Sequence, residues 1–200
     1  PMLAHWPFDE SSGDTAYDVV GDKHGTVSGA SWTFGILGGA LHFDGVDDYV
    51  DCGKDPALAP DLFTLCMWIN AQASSGSRSI LRKAGGGKDK DYDFKLFAAR
   101  YPNFSFGDGL QSIVLHSSSA IPLNEWTHIA LTRDETEAAI HVNGIQRASK
   151  TYGLAPAATA HKLIIGGGSL QPYQGKIDDL RFYRLPLSAE DIRACIPAIE

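Results

Sequence analysis

The sequence is short of several features that would each have pointed to a function class. It has no run of lysine or arginine, and 17 basic residues face 24 acidic ones for a net charge of −7. Nucleic acid phosphates require a basic footprint, so no nucleic-acid partner is expected. No apolar stretch approaches the ~18 residues of a membrane-spanning helix, so no membrane insertion is expected. Cysteine occurs at positions 52, 66 and 195, an odd set without Cys-x-x-Cys spacing. That argues against a zinc site or a disulfide-dense scaffold. Cys66 lies in an apolar strand pattern and reads as a small buried hydrophobe, while a Cys52–Cys66 bridge stays open. The chain opens at Pro1-Met2 without a basic segment followed by an apolar one, so any targeting peptide is expected to have been removed or to lie outside this sequence.

Helical periodicity is also scarce. In its place, period-2 patterns and short β-rich runs recur between clusters of Gly, Pro, Asp and Ser. Strands are expected near residues 3–8, 40–43, 49–51, 63–70, 79–83, 93–98, 112–116, 126–133, 138–142, 162–165 and 176–183. The number and spacing of these runs predict an all-β, two-sheet antiparallel sandwich. No repeat, low-complexity tract or linker divides the 200 residues, so a single domain over 1–200 is expected. Asn143-Gly144 is a strong hairpin signal, because a tight two-residue turn needs positive φ at both positions. One short helix is expected over 189–194, capped by Ser188, with Glu190 and Asp191 in its positive first turn and Pro197 beyond it. Gly85-Gly-Gly87 and Gly166-Gly-Gly168 precede neither a helix nor Gly-Lys-Ser/Thr, so they read as loops and not phosphate cradles.

Several separated motifs carry a resemblance. They are Trp6-Pro-Phe-Asp-Glu10 with Gly13 and Asp18, Gly39-Ala-Leu-His-Phe-Asp-Gly-Val-Asp-Asp-Tyr-Val50, Phe63-Thr-Leu-Cys-Met-Trp-Ile69, Trp126-Thr-His-Ile-Ala130, Val142-Asn-Gly144, and Gly175-Lys-Ile-Asp-Asp-Leu-Arg-Phe-Tyr183 followed by Leu187-Ser188. In that order they resemble the laminin-G-like domains of the concanavalin A-like lectin/glucanase superfamily, over nearly the whole chain. The resemblance implies a jelly-roll sandwich of two curved antiparallel sheets and a structural calcium ion. It also implies a binding role within a larger extracellular or cell-surface protein, toward a glycan or a protein partner.

Calcium takes six to eight oxygen ligands, and the acidic patches Asp9-Glu10, Asp44 with Asp47-Asp48, and Asp178-Asp179 supply that chemistry. No patch has EF-hand spacing, so a site must be assembled from distant segments. With the N- and C-terminal strands adjacent, as the resemblance implies, the expected ligands are Asp9, Asp178, a carbonyl of the His24-Gly25 turn at Gly25, and Asp47 as a contributor. Strict alternation in 176–183 places Ile177, Asp179 and Arg181 on one face and Asp178, Leu180 and Phe182 on the other. Asp178 would then enter an apolar face and need a metal or hydrogen-bonded partner. Asp44 reads as the start of a turn, accepting its own backbone amides.

Enzyme readings find less support. A retaining glycosidase needs two carboxyls about 5–5.5 Å apart. Glu135 and Glu137 have a suitable spacing but fall where a hairpin connection is expected, outside any Glu-x-Asp-x-x-Glu pattern. His116, His128 and His141, candidates for lyase chemistry, lie in no Gln-x-His segment, and no Gly-x-Ser-x-Gly elbow occurs. A non-catalytic module is therefore expected, with glycoside hydrolase or lyase as the alternative and a ligand-free spacer as a third reading. Sugar binding uses exposed aromatic faces beside polar groups. Tyr92, Tyr101, Phe104, Tyr152 and Tyr173 fall in or beside Gly/Pro/Asp-rich segments, whereas Trp6, Trp68 and Trp126 read as core. The expected sugar contacts are Tyr92, Tyr101, Tyr152 and Tyr173, with Asp108 in loop 101–109 and Lys88 and Lys90 in loop 84–91 as polar partners.

Overall fold

A computed structural model describes residues 1–73, 75–154, 159–167 and 171–197. Gly168 of the second glycine triplet and the side chain of Lys90 lie outside the described residues. The strands are β1 (Met2–Trp6), β2 (Thr15–Ala16), β3 (Gly25–Ser28), β4 (Ser31–Phe34), β5 (Gly39–Asp44), β6 (Tyr49–Asp51), β7 (Phe63–Ala71), β8 (Arg78–Gly86), β9 (Asp89–Phe97), β10 (Tyr101–Gly107), β11 (Ser112–His116), β12 (Trp126–Arg133), β13 (Glu137–Val142), β14 (Ile145–Thr151), β15 (Leu163–Ile165) and β16 (Gln174–Tyr183), followed by α1 (Ala189–Ala194). They form two antiparallel eight-stranded sheets. The first runs β14-β13-β12-β7-β16-β5-β4 with β1 also on β16, and the second runs β11-β10-β9-β8-β15-β6-β3-β2.

The expected jelly-roll sandwich is the observed fold. β7 is buried at every position, because its inner face joins the core through Phe63, Leu65, Met67 and Ile69 while Cys66 on its outer face lies beneath α1. Such double burial explains its near-continuous apolar sequence. Asn143 and Gly144 adopt φ of 49° and 74° between β13 and β14, the tight turn that the dipeptide predicts. Ser188 caps α1 in a reciprocal arrangement with Asp191.

Some expectations fail for identifiable reasons. Residues 101–107, read as a loop because of Pro102, Asp108 and the glycines, form β10: Pro102, Phe104 and Phe106 alternate with Tyr101, Asn103 and Ser105. Residues 84–91 are likewise largely the ends of the β8–β9 hairpin. The Cys52–Cys66 bridge is excluded, since both thiols are free, Cys52 packs between the sheets and Cys66 packs on the outer side of the first sheet. Trp6 is core as expected, whereas Trp68 is buried on that outer side against His128 and Trp126 is half-buried.

The alternation assumed for 176–183 is broken. β16 pairs along one edge with β7, and its other edge is shared end to end by β5, along 174–177, and β1, along 180–183. At the seam the register shifts and Asp179 takes φ of 51°. This bulge inverts the pleat, so Ile177, Leu180 and Phe182 all enter the core.

Arg133 ties the two layers together. It is 1% exposed and donates to the carbonyls of Pro60, Asp61 and Asp91 at 2.7, 2.8 and 3.0 Å. Its guanidinium also lies 4.7 Å from the Phe63 ring centroid and 5.2 Å from that of Phe106. Arg133→Met would leave three carbonyls without their donor. We expect it to lower the unfolding free energy by about 3–5 kcal/mol, read from urea denaturation; a loss under about 1 kcal/mol would overturn this role.

Candidate functional site

Two regions bring chemistry-bearing side chains together. The first is the seam of the first sheet. Phe8, at φ of 60°, turns the chain after β1 so that Asp9 Oδ1 accepts from Gly39 N at 2.7 Å. Glu10 Oε1 accepts from Tyr17 N at 2.7 Å, while Glu10 Oε2 is buried without a partner. Asp178 is fully buried under the turn preceding β5, with Oδ2 accepting from Ile36 N at 2.8 Å and Leu37 N at 2.9 Å. Its Oδ1 has no partner. Burial, reinforced by the charges of Asp179 and Asp9, pushes the Asp178 carboxyl up to about 6. Beside this seam lies a hollow of about 530 Å³ lined by Asp9, Glu10, Trp32, Phe34 and Gly38 among others, with Phe34 89% exposed.

The structure does not assemble the expected metal set. Asp9 meets Gly39 at the start of β5, whereas Asp47 follows its far end, roughly 17 Å along the strand. Asp47 instead clusters with Asp44 and Asp48, whose ligand oxygens lie within 4.8 Å of one another. In that cluster Asp44 accepts from Val46 N and Asp48 from Asp44 N, so the turn chemistry expected of Asp44 is present. Gly25 is not a turn residue. It lies in β3 opposite Ala16, with Val50 and Cys52 packed so close that a side chain there would clash. Asp9, Glu10 and Asp178 are the carboxylates at and beside the seam, each accepting from backbone N–H groups, and their oxygens do not gather as those of Asp44, Asp47 and Asp48 do. The buried, unpartnered Asp178 Oδ1 is the hard oxygen there whose chemistry suits a cation of the calcium type.

The second region is the outer face of the second sheet. Inward positions of β9 and β10 are Tyr92, Phe94, Leu96, Phe104 and Phe106, so the alternate positions face outward. Register aligns these in rows. His116, Asn103, Lys95 and Ser79 form one row, and Val114, Ser105, Asp93 and Arg82 form the next. Tyr101 and Phe97 pair at one end, 39% and 55% exposed. Asn103 Nδ2 and His116 Nδ1 lie 2.7 Å apart, and Lys95 Nζ reaches Asp93 Oδ2 at 3.2 Å. Three buried polar atoms within the two rows, Ser79 Oγ, Ser105 Oγ and Asp93 Oδ1, have no partner. Buried polar atoms are nearly always satisfied, and these three, shielded by their neighbours, are exceptions. Hydroxyl donors, a carboxylate acceptor, an amide and a lysine beside two aromatic rings can hold a polyhydroxylated molecule.

The sugar contacts expected from sequence separate accordingly. Tyr101 belongs to this face. Tyr92 and Tyr173 do not reach solvent: Tyr92 packs on Phe63 and Phe182 and donates to Leu58 O at 2.6 Å, and Tyr173 packs on Phe43. Phe104 is also core. Tyr152 is half-buried on Phe106, with its hydroxyl donating to Asp134 O. Asp108 is half-exposed, but Oδ1 accepts from Gln111 N and Leu110 N, which holds the β10–β11 turn and keeps its carboxyl below the usual range. It sits past the end of β10 opposite Tyr101, roughly 20 Å away, so the two do not converge.

The histidines do not share a face either. His116 lies on the second sheet, while His128 and His141 lie on the outer side of the first. Burial holds His128 down at about 4, neutral at ordinary pH. Glu135 lies in the connection between β12 and β13 and Glu137 begins β13. Asp93, Lys95, Ser79 and Phe97 were missed as site residues. Their signal was the alternation of 91–97 and 101–106, legible once both segments are taken as paired strands.

This architecture defines a two-sheet jelly-roll sandwich, and comparison identifies the family. The chain belongs to the concanavalin A-like lectin/glucanases superfamily, whose laminin G-type model matches residues 44–193. Among solved structures it is similar to domain 4 of AbnA, a GH43 extracellular arabinanase from Geobacillus stearothermophilus, in complex with arabinotriose. That match has 18% identity and a TM-score of 0.78, covering 96% of this chain and 97% of that one. The CBM40 of the Ruminococcus gnavus IT-sialidase bound to α2,3 sialyllactose matches at 16% identity and TM-score 0.68, over 79% and 96% of the two chains. Trypanosoma rangeli sialidase matches at 17% identity and TM-score 0.73 over 95% of this chain, which spans 31% of that one. At these identities the likeness concerns the fold. A search of curated proteins by sequence found no match.

The raised Asp178 carboxyl makes a pH prediction with a definite sign. Its native value lies above the ordinary 3.8, so between about pH 4 and 6 the native state holds a proton that the unfolded chain has released. Stability is therefore lost as pH rises through this window. In chelator-treated buffer, the wild type should lose about 2–3 kcal/mol relative to Asp178→Asn from pH 4 to 7. Parallel pH profiles in urea denaturation would contradict it.

Proposed function

We propose that this chain is a non-catalytic carbohydrate-binding module whose binding surface is the outer face of β8–β11. The observation that carries this reading is the outward pair of polar rows bordered by exposed Phe97 and Tyr101. Sugar hydroxyls would meet Lys95, Asp93 and His116, which keep access to solvent, and the rings would take the apolar face of a sugar. Two similar structures are described as holding arabinotriose and α2,3 sialyllactose, which supports an oligosaccharide as the ligand class. Within the two rows Asp93 is the one carboxylate, which favours binding over two-carboxylate hydrolysis. The proposal places the module in a multidomain extracellular or cell-surface protein. Among the described residues no helix is long and apolar enough to cross a membrane.

Titration calorimetry with arabinotriose and α2,3 sialyllactose, backed by a glycan array, tests the site. Tyr101→Ala, Phe97→Ala and Asp93→Asn should each weaken binding by roughly tenfold or more without moving the melting temperature. Binding that survives all three would sink the assignment. Reducing-end product at multiple turnovers would instead establish a glycoside hydrolase, and silence in every assay a spacer.

A structural calcium ion is the second part of the proposal. Asp178 would hold it through the unpartnered Oδ1, with the Asp9 carboxylate as its neighbour. A cation that binds only the native state raises stability by mass action. Added calcium should raise the melting temperature of the wild type above that in chelator and leave Asp178→Asn unmoved; a wild-type melt indifferent to calcium over a wide range rules the ion out.

A further inference from the structure

Two of the three cysteines lie together, far from the face described above. Cys66 is on the outer side of β7, directly opposite Arg181 of β16, and packs with Ala130 and Ile192 beneath α1. Cys195, the residue closing α1, packs against the same cluster. Its Sγ is 3.8 Å from the hydroxyl of Tyr183, a residue on the same face of β16 and diagonal to Cys66. Diagonal cross-strand neighbours lie about 7–8 Å apart, within reach of a thiol descending from the helix above them. Both side chains thus enter the one small cluster formed with Ala130 and Ile192. Cys52 is excluded from this group by the thickness of the sheet, packed in the core between the layers.

Their surroundings give the two sulfurs different characters. Cys66 is 1% exposed, and its neighbour's hydrogen bond together with burial pushes its thiol well up. Cys195 is half-exposed, and its bonds with Cys66 and then Tyr183, together with the Arg181 charge, hold its thiol below the ordinary range. An accessible sulfur beside a cation and a hydrogen-bond donor is the one that attacks, and the buried neighbour is the one that resolves.

We propose that Cys66 and Cys195 form a reversible disulfide site that reacts with low-molecular-weight disulfides and staples the C-terminal helix to the centre of the first sheet. The Cys195 thiolate attacks one sulfur of the small disulfide, forming a mixed disulfide and expelling one thiolate. Cys66 then gives up its proton and attacks the Cys195 sulfur, which forms the protein disulfide and expels the second thiolate. Two electrons pass from the protein dithiol to the small disulfide, which leaves as two thiols. The closed bond links residues 129 apart in sequence, by subtraction of 66 from 195, and so constrains the unfolded chain strongly.

The test incubates the full chain with glutathione disulfide, quenches it with acid, and maps non-reduced peptides by mass spectrometry. The expected product joins the Cys66 and Cys195 peptides with a loss of two hydrogens and leaves Cys52 free. It should melt on the order of 5–10 °C higher than the reduced protein, and dithiothreitol should reverse the change. Cys66→Ala should stop at one glutathione on Cys195, and Cys195→Ser should show neither adduct nor cross-link. A cross-link that includes Cys52, or a wild type that retains three free thiols, overturns the proposal. So does a mixed disulfide at Cys195 that persists in the presence of Cys66.

Discussion

The buried guanidinium of Arg133 is the constraint on which the two-layer arrangement depends. Burying a charge is costly unless its hydrogen-bonding capacity is met, and here three carbonyls and two ring faces meet it. The arginine comes from β12 of the first sheet, and one of its acceptors, Asp91 O, belongs to β9 of the second. Around it Phe63, Tyr92, Phe104 and Phe182 pack ring to ring. Asp91 in turn pairs with the fully buried Lys83 at 3.4 Å. The strands that carry the candidate face are thus held by polar anchors whose geometry tolerates little slippage.

That rigidity bears on function. A polar face on a floppy sheet would satisfy its own hydroxyls by rearranging. On β8–β11, the inward side chains of Phe94, Leu96, Phe104 and Phe106 fix the pleat, and Ser79 Oγ, Ser105 Oγ and Asp93 Oδ1 stay without partners. The same principle operates at the seam of β16, where β5 and β1 meet end to end. There the backbone gap is filled by the Asp178 carboxylate bonding to Ile36 and Leu37, while Asp179 is held by His5 and Arg181 at 2.8 and 3.0 Å. Both regions leave buried oxygens without partners.

The legibility of these features in the sequence varied with the range of the physics behind them. The Asn143-Gly144 turn, the Ser188 cap and the doubly buried β7 were readable, since each depends on a few consecutive residues. β10 was hidden by Pro102 and the glycines around it, although its alternation was intact. Tyr92 and Tyr173 looked like loop aromatics because glycine and aspartate flank them, yet both face inward in the assembled sheets. Asp178 was expected to be buried and is, but under a turn and not among apolar side chains, because the bulge at Asp179 inverts the pleat.

Taken alone, the amino-acid sequence determined the class of the fold, its hairpin and helix cap, and the family, because alternation and turn chemistry are local and the motifs are ordered along the chain. Tertiary structure alone decided which aspartates approach one another, which tyrosine reaches solvent, and that Cys66 lies beside Cys195 and away from Cys52. Those outcomes depend on pairing between distant strands and on a single bulge, and a shift of one residue in either sends every side chain beyond it to the opposite face.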